Sequence, residues 1–509
     1  MAQPLQNIGR ISERKLLQEI FANVRNGHSK MVLISGESGM GKTLLAEEAL
    51  AANQFLRLTG RSNEEIDPPY APIAQAIRYY FRQHPDDSFS DQQHREHLSL
   101  LLPEIGSPPE SPDRERLVEA ICQTFAYFAG QQPLAIFLDD LQWADDATLD
   151  LLPDISERLQ HSQIVFLGTY RSDELPRGHR LRWVRNELRR RHHLEEIHLD
   201  PLSQKESTAL MALQLNSEIH PQLAKTIFDQ TEGVPLFIVE LAIALESSGA
   251  LRKTANGLAL RNGYHIPLPE SIRDAILIRL DGLSQPARDL LECAAMYGMS
   301  FSIDMLIELA GDETGLDELF DRQLFIETQQ GEGMFRHALT REAVKSEMLW
   351  SQKRSINRNI ASFLEKADAS PEIIAEHWLA GNQLEKARDA FMKAAKRSCQ
   401  IHAYRDAARA GSRALEIWNE GENESERLDA LMELAHCAHV SGQLSQAIRV
   451  LRELSASEKI RQTPKKYAEI QRSLATVYGL QGARDQAISA RTIAAEIFEN
   501  AGMDAEAAT

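Results

Sequence analysis

The segment GESGMGKT, residues 36–43, narrows the choice of fold more than any other stretch of the chain. It satisfies G-x-x-x-x-G-K-[ST] at every fixed position, a pattern whose glycines let successive backbone N–H groups turn inward around a phosphate. Its surroundings supply the structural half of the argument. KMVLIS (30–35) is a continuous apolar run, expected as a buried parallel strand, and TLLAEEAL (43–50) has apolar residues at helical spacing. A strand, a loop and a helix in that order put a helix N-terminus behind the loop and add its positive end to the nest. A parallel α/β sheet is therefore expected for the first part of the chain.

Each loop position has its own expected part in holding ATP or ADP. Gly36, Gly39 and Gly41 supply the turn, while Glu37, Ser38 and Met40 contribute only their backbone N–H groups. Lys42 is expected to bridge the β- and γ-phosphates, the Thr43 hydroxyl to ligand Mg²⁺, and Leu44 to follow in the first helical turn. Such a loop calls for a second strand ending in acid, and PLAIFLDDLQWAD (133–145) provides it. Asp139 is expected to hold Mg²⁺ through water, and Asp140 to orient or deprotonate the attacking water. A third apolar run, QIVFLGTYRSDE (163–174), ends in Arg171 at the edge where a parallel sheet presents its ligands. Arg171 is placed there to reach a γ-phosphate.

Charge and composition exclude other classes. The net charge of −18 sets the chain as a whole against a nucleic-acid backbone. One basic run, RGHRLRWVRNELRRRHH (177–193), is read first as a solvated helix face. No apolar run reaches the length of a bilayer span, and the start MAQPLQNIGR lacks a signal peptide's apolar region. Cys122, Cys293, Cys399 and Cys437 are scattered without CxxC spacing, so neither zinc nor a disulfide framework is indicated. A cytoplasmic protein with no membrane partner is expected.

Further along, PLPESIRDAILIRLDGLSQPARDLLECAAMYG reads as two amphipathic helices, SIDMLIELAG as a third, and LFIETQQGEGMFRHAL as a ribbon around Gly331 and Gly333. Helices followed by a ribbon make a winged helix. Its candidate reading helix carries no Arg or Lys, the wrong sign for a major groove, so direct DNA binding is not expected. Beyond residue 371 the sequence is Ala/Leu-rich and helical. LAHCAHVSGQLSQAIRVL (434–451) and LATVYGLQGARDQAISAR (474–491) align, with HWLAGNQLEKARDAFMKAA and AYRDAARAGSRALEI as more degenerate units. Gly442 and Gly482 stand 40 residues apart, against about 34 in an ideal tetratricopeptide unit, so an extended connection is expected between them. Stacked helix pairs build a concave surface suited to a protein, peptide or small-molecule inducer.

In that order, NIGRISERKLLQEI, the phosphate loop, LDDLQWAD, TYRSDELP, TEGVPLFIVEL and FRHALTREAV resemble the STAND class of signal-transduction ATPases, most of all the cores of large LuxR-type, MalT-like bacterial regulators. The resemblance implies that Ile8, Gly9 and Arg10 lie beside the adenine and that Pro235, in a GxP motif, packs on the base. It makes Arg171 the γ-phosphate sensor and places His337 against the β-phosphate of ADP. The animal and plant relatives carry Met-His-Asp at that last position, where this chain reads Arg336-His337-Ala338. The expected fold class is an α/β P-loop NTPase domain (1–200), a helical subdomain (201–265), a winged helix (266–365) and an α-solenoid of tetratricopeptide-like repeats (366–509).

The implied function is an ATP/ADP-controlled switch that hydrolyses ATP slowly and self-associates when ATP-bound. It would regulate transcription through an output domain outside this chain. Two other readings use the same motifs: an origin-binding or loader AAA+ ATPase with a DNA-binding winged helix, and an ATP-binding scaffold without turnover.

Overall fold

Parallel pairing of the early strands follows from what lies between them, because each connection is long enough to carry a helix across the sheet. The computed structural model describes residues 8–64, 67–84, 92–247, 249–261, 272–280, 282–329, 331–419 and 421–500. Strands β1 (Lys30–Gly36), β2 (Leu56–Arg61), β3 (Leu134–Asp139), β4 (Ile164–Arg171) and β5 (Leu194–His198) form one sheet in the order β2-β3-β4-β1-β5. Every neighbouring pair is parallel. Strand alternation divides the core. Met31 and Leu33 join Ile136, Leu138 and Phe166 on one face, whereas Val32 and Ile34 join Phe137, Val165 and Leu167 on the other. A sheet buried on both faces is what the continuous apolar runs require.

Three helices follow, Gln204–Gln214, Pro221–Thr231 and Pro235–Ser247, and then a hairpin of β6 (Leu251–Thr254) and β7 (Gly257–Leu260). The hairpin was not anticipated. Each strand has four residues, too few for alternation to register. Next come the helices Ile272–Leu280, Gln285–Tyr297, Ile303–Ala310 and Leu316–Asp321, with a ribbon of β9 (Phe325–Gln329) and β10 (Glu332–Phe335). Residues 266–271 of the first expected helix lie outside the described residues. A short strand β8 (Ser300–Ser302) pairs with β10 and makes the ribbon a three-stranded antiparallel sheet.

From Trp350 the chain is helical: Trp350–Lys366, Pro371–Ala380, Leu384–Gln400, Tyr404–Glu416, Glu424–Val440, Leu444–Ala456, Pro464–Gln481 and Arg484–Asn500, each packed on the next. An extra one-turn helix, Glu458–Arg461, sits between two of them and accounts for the long Gly442-to-Gly482 spacing. The closing segment 501–509 is outside the described residues. Among the described residues no helix is long and apolar enough to cross a membrane.

The helical array folds back on the sheet domain. Ile401 and Ala403 belong to the same apolar core as Met31 and Phe166. Beside them Asp406, 5% exposed, accepts the backbone N–H of Asp146 (3.3 Å) and of Ala147 (3.0 Å), capping the helix Asp146–Arg158 from outside. Arg409 pairs with Asp406 and reaches Asp146 at 3.3 Å, and Arg405 reaches Asp150 at 3.5 Å. Burial pushes the Asp406 carboxyl up to about 8, with Arg409 pulling it down and Asp145 and Asp146 pushing it further up.

The basic run forms the helix Arg180–Arg190 and is matched by acid from its own domain. Arg185 meets Glu196 at 2.7 Å, Arg189 also meets Glu196, Arg190 meets Glu187 at 2.7 Å, and Arg191 meets Glu187 and Glu157. The sequence leads one to expect a solvated helix face; the ion pairs along it are what the structure adds.

Candidate nucleotide site

The C-terminal edge of the sheet gathers the polar residues that the sequence places at strand ends. The turn after β1 takes left-handed or extended-positive backbone at Gly36 (φ 153°), Gly39 (φ 79°) and Gly41 (φ 84°), angles a side chain at those positions would strain. Gly39 is further constrained by packing, since a Cβ there would stand 3.0 Å from the Leu236 Cβ. Gly41 caps the helix Lys42–Ala51, whose first N–H groups face the loop. Lys42 is buried and donates from Nζ to the carbonyl oxygens of Gly36 (2.9 Å) and Glu37 (2.7 Å). Burial lowers its ammonium below the usual lysine value, with nearby Asp140 pulling it back up.

Across the loop, Asp139 is 1% exposed and its carboxylate is held by three side chains. Its Oδ1 accepts the hydroxyls of Thr43 (3.0 Å) and Thr169 (2.5 Å), and its Oδ2 accepts Arg61 Nη2 at 2.9 Å. Thr169 also accepts the N–H of Asp140 at 2.9 Å, so one hydroxyl fixes both acids. Asp140 holds φ at +58°, uncommon for a side-chain-bearing residue, and Gln142 donates to its Oδ1 at 2.9 Å. Burial, and then the charge on Asp139, push the Asp140 carboxyl above the ordinary range. A group raised in that way is better suited to taking a proton than an exposed aspartate.

Strand register sets Arg171 opposite Gly36. Its backbone N–H donates to Gln142 at 3.0 Å, its guanidinium lies over the Trp143 ring at 4.5 Å, and its Nε is 3.9 Å from Asp140. Glu174 (2.5 Å) and Glu342 (3.5 Å) take its Nη1. Burial opposes the Arg171 charge, but Asp140 and Glu174 outweigh it and the net direction is upward.

These groups line one end of a cavity of about 300 Å³. Ser38, Gly39, Gly41, Lys42, Thr43, Leu44, Asp139, Asp140 and Arg171 form its polar end. Ile8, Leu202, Leu210, Pro235, Leu236 and Val239 form an apolar end, and Met299, Met334, Arg336, His337, Ala338 and Leu339 close it from the β8–β10 side. The size and the two-ended lining match a small-ligand site in which apolar walls carry most of the contact and a few polar groups set orientation.

Several expected residues stand one step back. Met40 is buried among Val32, Leu45 and Phe137, and its carbonyl accepts Arg10 Nη2 at 3.4 Å. Arg10, itself 7% exposed and at φ 56°, thus braces the loop from behind and meets Glu13 at 3.7 Å. Gly9 holds φ at 77°, backbone that a side chain would strain, beside the carboxylate of Glu206. The loop is also held from the front, where Leu236 N–H donates to the Gly39 carbonyl at 3.2 Å. His337 Nε2 lies 3.9 Å from Oε1 of the fully buried Glu240, joining the helix Pro235–Ser247 to the closing ribbon.

Arg61, Thr169 and Gln142 escaped the sequence reading. Arg61 and Thr169 had a usable signal, because each is a polar residue at or near the C-terminal end of a parallel strand. For Gln142 the clue was its place directly after the paired acids.

The residues present fit a divalent cation. Thr43 and Asp139 offer two neighbouring oxygens on the cavity side of the loop. Among the described residues no group of three or more His, Cys, Asp or Glu side chains could hold a metal alone. That suits Mg²⁺, which keeps phosphate and water among its ligands.

Comparison with known proteins agrees with this geometry. Residues 6–167 match the family model described as an AAA ATPase domain. An uncharacterized protein of Rhizobium meliloti (strain 1021) is 24% identical over 483 residues, covering 86% of this chain and 44% of that protein. The chain thus spans less than half the length of the curated relative it matches. Among solved structures, a STAND protein with a tetratricopeptide repeat sensor from Pyrococcus horikoshii aligns at a TM-score of 0.49 and 17% identity, over 96% of this chain and 65% of its own. RuvB of Thermotoga maritima aligns at 0.29 and 16% identity, over 68% of this chain and 100% of its own. Residues 6–167 are thus similar to an AAA ATPase domain, in keeping with the STAND-class P-loop resemblance carried by the motifs.

Proposed function

We propose that the chain is a nucleotide-controlled signalling switch that binds ATP or ADP with Mg²⁺, turns ATP over slowly, and is held closed by its own helical array. The observation that carries this reading is the composition of the cavity wall. Phosphate loop and acids come from the parallel sheet, Pro235 and its neighbours from the helix Pro235–Ser247, and His337 from the turn after β10. A bound nucleotide would touch all three, so its phosphate state can bias how they pack.

In this account the loop N–H groups and Lys42 bind the β- and γ-phosphates, and Ile8 and Pro235 flank the base. Thr43 and Asp139 would hold Mg²⁺, which supplies charge neutralisation on the phosphates. Asp140 orients and deprotonates the attacking water, with Gln142 and Thr169 fixing its position. Arg171 reads the γ-phosphate. His337, backed by Glu240, reads the β-phosphate and closes the winged helix over it. The helix capped by Asp406 begins directly after LDDLQWAD, so movement of the array is transmitted to the strand that carries the acids. An inducer on the tetratricopeptide-like surface would shift the balance toward an open form only by its differential affinity for that form. The open, ATP-bound form is the one that self-associates, and its output, regulation of transcription, would be delivered by a domain outside this chain.

Titration of a fluorescent ADP or ATP analogue into the purified chain, alongside Lys42→Ala, tests the premise. Loss of the charge-assisted contacts should weaken binding by about 100-fold. Equal affinity in the two proteins would remove the phosphate loop from the account. Binding of duplex DNA that weakens steeply with salt would favour the loader reading instead.

A further inference from the structure

Arg61 has no part in the scheme above, yet it makes the most direct charged contact with the metal-site carboxylate. It is the last residue of β2, and strand register sets it opposite Asp139, the last residue of β3. Both side chains leave the same edge of the sheet and meet at 2.9 Å, Arg61 Nη2 to Asp139 Oδ2. Asp139 is sealed, while the Arg61 side chain keeps 26% of its surface and lines the cavity. Its backbone N–H is fixed by Gln75 Oε1 at 3.0 Å, and its Nη1 touches Met334 Sδ of β10 at 4.0 Å.

A guanidinium at this place is not needed to hold the fold of Asp139. Thr43 and Thr169 already occupy Oδ1. Oδ2 remains as the oxygen that either a cation in the site or Arg61 can take. A divalent cation beside Thr43 and a guanidinium on Oδ2 are like charges competing for one carboxylate, and each weakens the other. We propose that Arg61 is a built-in competitor of the divalent cation at Asp139. When it holds Oδ2, it neutralises the carboxylate and favours nucleotide held without metal. When metal takes the carboxylate, Arg61 is released from Asp139 and its seat against Met334 is disturbed. Arg61 is thus a positioning residue that links metal occupancy to the closing ribbon. This inference rests on the nucleotide reading of the cavity.

The test uses the full chain with a fluorescent ADP analogue, titrating Mg²⁺, and Mn²⁺ followed by its paramagnetic resonance signal as a direct measure of bound metal. For Arg61→Gln the metal midpoint should fall by about tenfold, while affinity for the analogue in chelator should drop. Arg61→Lys, which keeps the charge but loses the planar fork, should shift both in the same directions by less. It also serves if the glutamine variant folds poorly. An unchanged or raised metal midpoint in variants that still bind the analogue overturns the inference and leaves the nucleotide reading intact. Wild-type protein that binds no analogue would instead remove the nucleotide reading.

Discussion

The strand ends of the sheet domain and the helical array solve opposite problems. At the sheet edge, buried Asp139, Thr169, Gln142 and Arg171 and half-buried Thr43 and Asp140 form one connected set of polar groups, each held by at least one neighbour. Such a set is costly unless it is fully satisfied, and the apolar layers on both faces of the sheet give it a rigid base. The array instead packs small residues such as Ala407, Ala408, Ala435 and Ala438, and its charges lie mostly at the rim. Asp406, buried like Glu372 and Arg388, is a carboxyl group that serves the other domain's helix rather than its own. A chemical site needs a scaffold that does not yield. The array packs small side chains helix against helix, and its specific contacts with the sheet domain sit at the joint, Asp406 among them.

Two glycines mark the extremes of that contrast. A Cβ at Gly60 in β2 would sit 2.0 Å from the Pro72 backbone oxygen. Gly60→Ala is therefore expected to cost about 3 kcal/mol, read as a fall in denaturant midpoint, because backbone must move. A loss under about 0.5 kcal/mol would mean the sheet edge is as yielding as the array.

The array should respond to acid through a buried histidine. His377, 4% exposed, joins its helix to Trp350–Lys366 through Asn357 Oδ1 at 2.8 Å. Burial lowers its pKa from 6.5 to about 4, with Lys345 and Arg341 adding to the effect. The unfolded chain therefore takes up the proton first, and this stability is present above pH 6.5 and lost as pH falls toward 4. The loss should reach about 2–3 kcal/mol, and His377→Gln should flatten it in melts across that range.

At the joint, Asp406→Ala removes two helix-capping contacts and leaves Arg409 with Asp146. We expect about 2 kcal/mol of lost coupling, seen as separation of one melting transition into two. Turnover in the variant should rise. A single transition with unchanged turnover would detach the array from control of the acids. The smallest effect has the opposite sign. Gly411 lies in the helix Tyr404–Glu416, and a Cβ there would meet nothing closer than 3.8 Å. Gly411→Ala should stabilise the array by about 0.5–1 kcal/mol.

The same contrast explains what could be read from sequence. Lys42, Thr43, Asp139 and Asp140 were legible because each sits beside the apolar run that positions it. The strand–loop–helix order and the three strand ends follow from local pattern alone. Arg61 went unread because LRLTGR, on an edge strand, offers only a short alternation broken at Gly60 rather than a continuous apolar run, so its one usable signal, a polar residue at a strand end, had no visible strand to belong to. Asp406 was hidden for another reason. Its partners, Asp146 and Ala147, lie in a different domain, and no local pattern records a contact across that separation. Gly9 had a resemblance to explain it, but its physical cause, a left-handed backbone at φ 77°, emerges only in three dimensions.

The central claim is that the nucleotide decides whether these two regions stay closed on one another. Its most direct test is the mass and radius of the intact chain in solution, by light scattering with small-angle X-ray scattering, in ADP and then in a slowly hydrolysed ATP analogue with Mg²⁺. The account expects a closed monomer in ADP and an expanded, self-associating species in the analogue, with Lys42→Ala unresponsive. The same mass and radius in both nucleotides, with binding of each confirmed, would contradict it.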